Sequence, residues 1–227
     1  MILGGFQKLT LLDYPGKVAC TLFTKGCNFR CPFCHNSFLV TQTHMAQEIP
    51  SQEILSYLKK RQGILEGVCI TGGEPLLQPE LEAFIKEVKA LGFAVKLDTN
   101  GAFPEKLKDL AEKKLIDYVA MDIKSCPEKY SALSGCEVNL EAIKESVHFL
   151  IKGQVDYEFR TTVADELHTV EDIRELAKFI EGAQRYFLQN FADSGNIIKE
   201  GLHPVGEEKL KSMKEAAEEV LKCVSIR

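Results

Sequence analysis

Short apolar runs rich in β-branched residues recur along the chain, each followed by a segment whose apolar positions fall every three or four residues. That alternation is what βα units around a parallel sheet require. The runs Val18–Thr24, Val68–Thr71, Phe93–Asp98, Tyr118–Asp122, Tyr157–Val163 and Tyr186–Gln189 predict about six strands. Between and after them, Leu81, Phe84, Ile85, Val88 and Leu91 share one helical face. So do Leu140, Ile143, Val147 and Leu150; Ile173, Leu176, Ala177 and Ile180; and Leu210, Met213, Ala217 and Val220. Pro79 suits a first helical turn, and Thr169 with Asp172 reads as a helix-entry cap. These are core faces and carry no chemistry. Ala192–Gly206, with Gly195 and Gly201 inside it besides Ser194, Asn196 and Pro204, predicts a long surface loop that is either a lid or a connection.

At 227 residues the chain can bury a substantial core, and with no low-complexity linker or charge block it reads as one domain, 1–227. Hydrophobic residues make up 45% and charged residues 27%, which is ordinary globular usage. A net charge of −5, without a basic stripe, argues against nucleic acid as a partner. The opening MILGGFQKLTLLDYPG lacks the features of a secretory signal, and no apolar stretch is long enough to span a bilayer, so a cytoplasmic location without membrane contact is expected. In a reducing compartment the eight cysteines point to metal or redox chemistry rather than to a disulfide framework.

The first predicted strand runs into KGCNFRCPFCHN, where Cys27, Cys31 and Cys34 follow C-x3-C-x2-C spacing. Three thiolates on one short loop can wrap zinc or an iron–sulfur cluster. A structural zinc site needs a fourth ligand, and the local one is His35, whose adjacency to Cys34 makes a poor chelate. A cubane held by only three cysteines leaves one iron without a protein ligand, free to take a small molecule. Cys20 and Cys69, inside predicted strands, read as small core hydrophobes. Cys126 and Cys136 fall short of the four ligands of a second cluster and read as structural or incidental, while Cys223 is uninformative.

Polar residues also collect at later strand ends. Val68–Thr71 ends in Gly72-Gly73-Glu74-Pro75, whose glycines permit close backbone approach and whose carboxylate can accept from an ammonium group; the plain alternative is a strand-to-helix turn. Asp98-Thr99-Asn100-Gly101 could be an Asx-type turn, and Lys124, after Asp122, a solvated charge. Arg160 is either an inward guanidinium able to grip a carboxylate or an outward one paired with Glu158. All these groups fall at the carboxyl ends of successive strands, where barrels and open α/β folds assemble their sites.

The cysteine spacing, with aromatic Phe33 before the last cysteine, resembles the signature of the radical S-adenosylmethionine (SAM) superfamily. The GGEP, DTNG and D-x-K strings resemble further motifs of its glycyl-radical-enzyme activases. GGFQKLTLLDYPGKVACTLFTKGCNFRCPFCHN is similar to activating proteins of anaerobic ribonucleoside-triphosphate reductase, in the branch of the pyruvate formate-lyase activases. The likeness covers most of the chain and is strongest from Gly4 to Gly101. It implies a partial (β/α)6 TIM-type barrel and a [4Fe–4S] cluster on Cys27, Cys31 and Cys34. It also implies SAM held by Phe33, Asn36, Gly72, Gly73, Glu74, Pro75, Asp98, Thr99, Asn100, Asp122, Lys124, Arg160 and Gln189, with the DTNG residues near SAM or a bound cation and Gln189 beside adenine. The implied reaction is reductive SAM cleavage and hydrogen abstraction from a glycine of a partner glycyl radical enzyme, with electrons from a flavodoxin- or ferredoxin-type donor. Asp13-Tyr14-Pro15-Gly16 is similar to a D-G-P-G turn of the pyruvate formate-lyase activases, and by that likeness Asp13 helps receive the glycyl loop. The chain departs from them at Tyr14, which replaces a glycine, and near Ala192, where they carry a histidine; it also has no room for an inserted ferredoxin-like domain. Other readings are a radical SAM enzyme acting on a free small molecule, such as a purine-like heterocycle, or on a peptide, and a zinc-stabilised binding module.

Overall fold

The computed structural model describes residues 1–45, 47–193 and 195–227. Each predicted strand forms within one residue of its expected ends: β2 (Ala19–Thr24), β3 (Gly67–Gly72), β4 (Ala94–Thr99), β5 (Tyr118–Asp122), β6 (Asp156–Val163) and β7 (Tyr186–Asn190). They are parallel and adjacent in chain order. Two strands were not expected. β1 (Leu3–Thr10) joins antiparallel to β2, and β8 (Val224–Ile226) extends the sheet beyond β7. The eight strands lie in sequence order, with β1 and β8 at the two ends, so the parallel sheet curves into an open, partial barrel.

Helices return the chain between strands: α1 (Ser37–Thr41) and α2 (Ser51–Lys59), α3 (Leu81–Ala90), α4 (Pro104–Glu112), α5 (Tyr130–Ser134) and α6 (Leu140–Ile151), and α7 (Val170–Phe179). α8 (Glu207–Glu218) precedes β8. The expected faces are buried: Leu81, Phe84, Ile85 and Val88 on α3, Ile143, Val147 and Leu150 on α6, Ile173, Leu176 and Ala177 on α7, and Leu210, Met213 and Ala217 on α8. Thr169 and Asp172 form a reciprocal capping box at the start of α7. Pro79 lies just outside α3, ahead of its N-cap Glu80.

Side chains alternate across each strand, so one set faces the helices and the other the concave interior. Cys20, Leu22, Val68, Ile70, Val95, Leu97, Val119 and Met121 belong to the main apolar core. The intervening residues include Thr21, Cys69, Thr71, Asp98, Asp122 and Arg160, which line a cavity inside the barrel. The sheet is thus apolar on its helix side and polar within.

Tyr14 packs with Ala19, Ala94 and Tyr118, at the amino-terminal ends of β2, β4 and β5. It is 2% exposed. A Cβ on Gly67 would stand 2.8 Å from the Tyr14 ring, so the first position of β3 has no room for a side chain. The residue that departs from the D-G-P-G pattern therefore forms part of the barrel floor. Apart from an isolated bridge between Ala164 and Pro204, the described residues of 192–206 form no helix or strand, as expected of a loop. Its ends are tied down, with Asn190 exchanging two hydrogen bonds with the Val205 backbone. Among the described residues no helix is long and apolar enough to cross a membrane.

Candidate active site

The loop after β2 carries Cys27, Cys31 and Cys34, and all three line a cavity of about 380 Å³ at the carboxyl ends of the strands. The loop is seated from several sides. Arg30 N–H donates to Ser134 O at 2.7 Å, Cys34 N–H to Cys31 O at 3.0 Å, and Phe29 N–H to Cys27 Sγ at 3.3 Å. The eight cysteines are free thiols. Burial pushes Cys27 up to about 11 and Cys31 up to about 12, and raises Cys34, so without a metal these thiols stay protonated at neutral pH. Among the described residues no three ligating side chains gather closely enough to hold a single metal ion.

Gly72 and Gly73 fit the end of β3 against the root of this loop. Gly72 has φ 113°, and a Cβ there would be 2.3 Å from Thr24 N; one on Gly73 would be 1.9 Å from Gly26 O. Glu74 has no exposed surface. Its Oε1 accepts from Leu76 N at 3.0 Å and Thr99 Oγ1 at 2.9 Å, and its Oε2 from Asn100 N at 2.8 Å. Burial lifts its carboxyl to about 7, against the pull of those three donors. Pro75 opens a 3₁₀ turn, Pro75–Leu77, in which Pro75 and Leu76 are buried and Leu77 is exposed. Neither Glu74 nor Pro75 lines the cavity. The expectation that Glu74 offers a free carboxylate to an ammonium thus meets a group already engaged in joining the β3 and β4 loops.

The other expected positions come together around the same space. Phe33, Asn36, Gly72, Gly73, Asp98, Thr99, Asn100, Asp122, Lys124, Arg160 and Gln189 all line the cavity. Asn36 Nδ2 donates to Gly72 O at 3.0 Å, and Asn100 Nδ2 to Asn28 Oδ1 at 2.8 Å. Arg160 faces inward: Nε donates to Asp122 Oδ1 at 2.9 Å and Nη1 to Asp98 Oδ2 at 3.1 Å. The alternative partner, Glu158, binds Arg227 and the Tyr118 hydroxyl instead. Lys124 Nζ lies 3.3 Å from Asp122 Oδ2. Burial alone would raise Asp122, but Arg160 and Lys124 outweigh it and hold the carboxyl down at about 2. Asp13, bonded to Thr21 Oγ1, lines the cavity on its β1–β2 side.

Two neighbours of the motifs make contacts that the sequence did not show. His35 binds Ala192 O at 2.9 Å and stacks on Phe191 with centroids 5.5 Å apart, joining the cysteine loop to the end of β7. Cys69 is not a core hydrophobe like Cys20. It faces the cavity, with Sγ 3.7 Å from both Lys96 Nζ and Asp98 Oδ1. Cys126 contacts Asp172 Oδ1 and Cys136 contacts Asn28 O, each with its own acceptor. Sequence reasoning missed Lys96, 1% exposed and paired with Asp98, and His168, which receives Ala164 N–H, lies 3.3 Å from Lys124 O, and meets Phe33 edge-on. Lys96 had a legible signal, since it is flanked by Val95 and Leu97 in a strand whose alternate positions are core.

These residues fit the cofactors that the sequence pattern implied. Three thiols on one cavity wall are a soft donor set, and ligands to a cubane stand further apart than those around a single ion. The side-chain-free wall at Gly72 and Gly73 and the cations Lys124 and Arg160 suit a flexible ligand that ends in a carboxylate.

Residues 21–180 match the Radical SAM superfamily. A protein of Methanocaldococcus jannaschii, assigned provisionally by its name to the glycyl-radical enzyme activating enzymes, is 34% identical over 195 residues, covering 84% of this chain and 80% of its own length. The pyruvate formate-lyase-activating enzyme of Listeria monocytogenes is 30% identical, covering 77% and 74%. The 7-carboxy-7-deazaguanine synthase of Thermoplasma acidophilum is 31% identical, covering 67% and 69%. In fold the chain is similar to Streptococcus suis SuiB bound to S-adenosylmethionine, with TM-score 0.69 at 16% identity over 89% of this chain, which spans about half of SuiB (48%). The chain therefore belongs to the radical SAM superfamily of oxidoreductases, as a domain homologous to the glycyl-radical-enzyme activating and pyruvate formate-lyase-activating enzymes.

Proposed function

We propose that this protein is a glycyl-radical-enzyme activase, its 227 residues acting as one domain. Cys27, Cys31 and Cys34 would hold a [4Fe–4S] cluster. The bound cluster and SAM supply the difficult chemistry, a one-electron reductive cleavage to methionine and a 5′-deoxyadenosyl radical that takes hydrogen from a glycine of the partner enzyme. The chain's own residues bind and orient. Lys124 and Arg160 would grip the methionine carboxylate, the wall of Gly72, Gly73 and Asn36 would pass the backbone of the ligand, and Phe33 and Gln189 would flank its adenine end. Asp98, Thr99 and Asn100 would complete the polar floor, with Glu74 and Pro75 holding the loops that carry them. Asp13, across the cavity, would receive the glycyl segment. Electrons would come from a flavodoxin- or ferredoxin-type donor.

The observation that carries this reading is the convergence of the three thiols and the Asp122–Arg160–Lys124 group on one cavity, in a chain homologous to activases. Similarity to the deazaguanine synthase favours a second reading, a free heterocycle as substrate. The test is anaerobic reconstitution with iron and sulfide, reduction by dithionite, and assay of 5′-deoxyadenosine from SAM, with Cys31→Ala as control. Incubation with a purified glycyl radical enzyme, anaerobic ribonucleotide reductase or a pyruvate formate-lyase type, should then give the electron paramagnetic resonance doublet of a glycyl radical. Cluster-dependent 5′-deoxyadenosine without that doublet, but with turnover of a free purine-like substrate, would replace the activase reading. No 5′-deoxyadenosine from a reducible cluster would overturn both.

A further inference from the structure

An ammonium group is almost never fully buried without a partner. Lys96 is 1% exposed, inside the barrel on β4, and it does not reach the cavity. Its Nζ lies 2.5 Å from Asp98 Oδ1. Asp98 in turn holds Arg160 with its other oxygen, Arg160 holds Asp122, and Asp122 lies beside Lys124. The charges alternate without a break, and each carboxylate presents its two oxygens to two different cations. Along this chain of ion pairs three cations face two carboxylates, an excess of one positive charge on that wall of the cavity, across from Asp13 on its β1–β2 side.

Both the excess and the geometry depend on Lys96. Without it, Asp98 Oδ1 would keep only the weak thiol donor of Cys69, 3.7 Å away in a buried site, and the one cation still paired with Asp98 among the described residues is the guanidinium of Arg160, on the other oxygen at 3.1 Å. A bidentate grip by Asp98 would turn that guanidinium toward β4 and use its remaining N–H groups. In the structure only Nε and Nη1 are engaged; among the described residues Nη2 makes no hydrogen bond. Cys69, 3.7 Å from both members of the pair, does not compete as the counter-charge, because burial and the neighbouring Asp98 keep its thiol protonated.

We propose that Lys96 is a positioning residue: its buried ammonium is the internal counter-ion of Asp98, and through Asp98 it leaves Arg160 free to bind a carboxylate-bearing ligand in the cavity. That the ligand is SAM rests on the function proposed above; the counter-ion role does not.

The test is a double-mutant cycle in the reconstituted full chain, with SAM affinity measured by equilibrium dialysis and melting temperature measured on the same proteins without cluster or SAM. Lys96→Met keeps the volume and removes the charge. SAM binding should weaken about tenfold or more, and the ligand-free protein should melt roughly 5–10 °C lower. Adding Asp98→Asn removes the stranded carboxylate, so the double variant should be more stable than Lys96→Met alone and bind SAM more tightly. A residue that only fills space would make the two losses add instead. The proposal is overturned if Lys96→Met matches the wild type in both measurements, or if the double variant is no better than Lys96→Met in either. If wild-type protein binds no SAM, the functional reading fails, and the melting cycle alone decides whether Lys96 is the counter-ion.

Discussion

Gly73 lies so close to Gly26 that a Cβ on Gly73 would stand 1.9 Å from the Gly26 carbonyl oxygen. The contact is reinforced on both sides, since Gly73 N–H donates to Thr24 O and Glu74 N–H to Gly26 O, each at 2.9 Å. The cysteine loop therefore begins pressed against the end of β3. Backbone cannot yield as a side chain can, so Gly73→Ala must displace the loop root. The expected outcome is a loss of about 1–3 kcal/mol in urea unfolding of the ligand-free protein. Iron incorporation should fall with it, and wild-type stability and iron content in this variant would show that the loop tolerates the shift.

Glu74 supplies two acceptor oxygens to three donors, Leu76 N, Thr99 Oγ1 and Asn100 N. Glutamine keeps the shape but turns one of those oxygens into a donor, and either amide orientation then leaves a buried N–H facing another. Glu74→Gln should cost about 1–3 kcal/mol in thermal or urea unfolding without cofactors. The β3 and β4 loops should also exchange their amide hydrogens faster than in the wild type. An unchanged exchange pattern would mean that the loops hold together without this carboxylate.

The cysteines divide into sets that one measurement separates. Cys27, Cys31 and Cys34 line the cavity, whereas Cys126 and Cys136 contact Asp172 and the Asn28 carbonyl. Alanine at any of the first three should abolish bound iron and sulfide after reconstitution, because a cubane on two thiolates has two open irons. Serine at Cys126 or Cys136 should leave the iron content at the wild-type level. A loss there would identify a second cluster.

The sequence made the parallel strands legible because each has two demanding faces, one packed on helices and one turned inward. β1 was not legible: LGGFQKLT carries two glycines, leaves Gln7, Lys8 and Leu9 exposed, and shifts register against β2 twice. β8, with three residues, is too short to show a period. Most cavity residues were legible as polar groups following apolar runs. The hydrogen bonds of Glu74 were not legible, because two of its three donors are backbone amides, Leu76 N and Asn100 N, which no residue type advertises. Tyr14 read as part of a turn, since its place in the barrel floor depends on strands that begin up to 104 residues later, at Tyr118.

Asp172 ties the start of α7 to the segment after β5. Its Oδ2 accepts from Thr169 N at 2.8 Å and lies 2.7 Å from Lys129 Nζ, while Asp172 N–H returns a bond to Thr169 Oγ1 at 3.2 Å. Burial works to raise its carboxyl, but Lys129 and the two Thr169 bonds outweigh it and hold the group below its ordinary value. A carboxyl depressed in the folded state contributes stability above the unfolded value of about 4, and loses that contribution as pH falls through the lower folded value. Asp172→Asn removes the charge that faces Lys129 and leaves the weaker amide oxygen as the acceptor for Thr169 N–H. The variant should be less stable than the wild type by about 1 kcal/mol at pH 7. The gap should hold down to about pH 5 and close progressively below about pH 4, as the wild-type carboxyl itself becomes protonated. Urea unfolding of both proteins from pH 7 to pH 3 measures the gap directly, and a difference independent of pH would assign the loss to the cap geometry alone, with no part for the Lys129 charge.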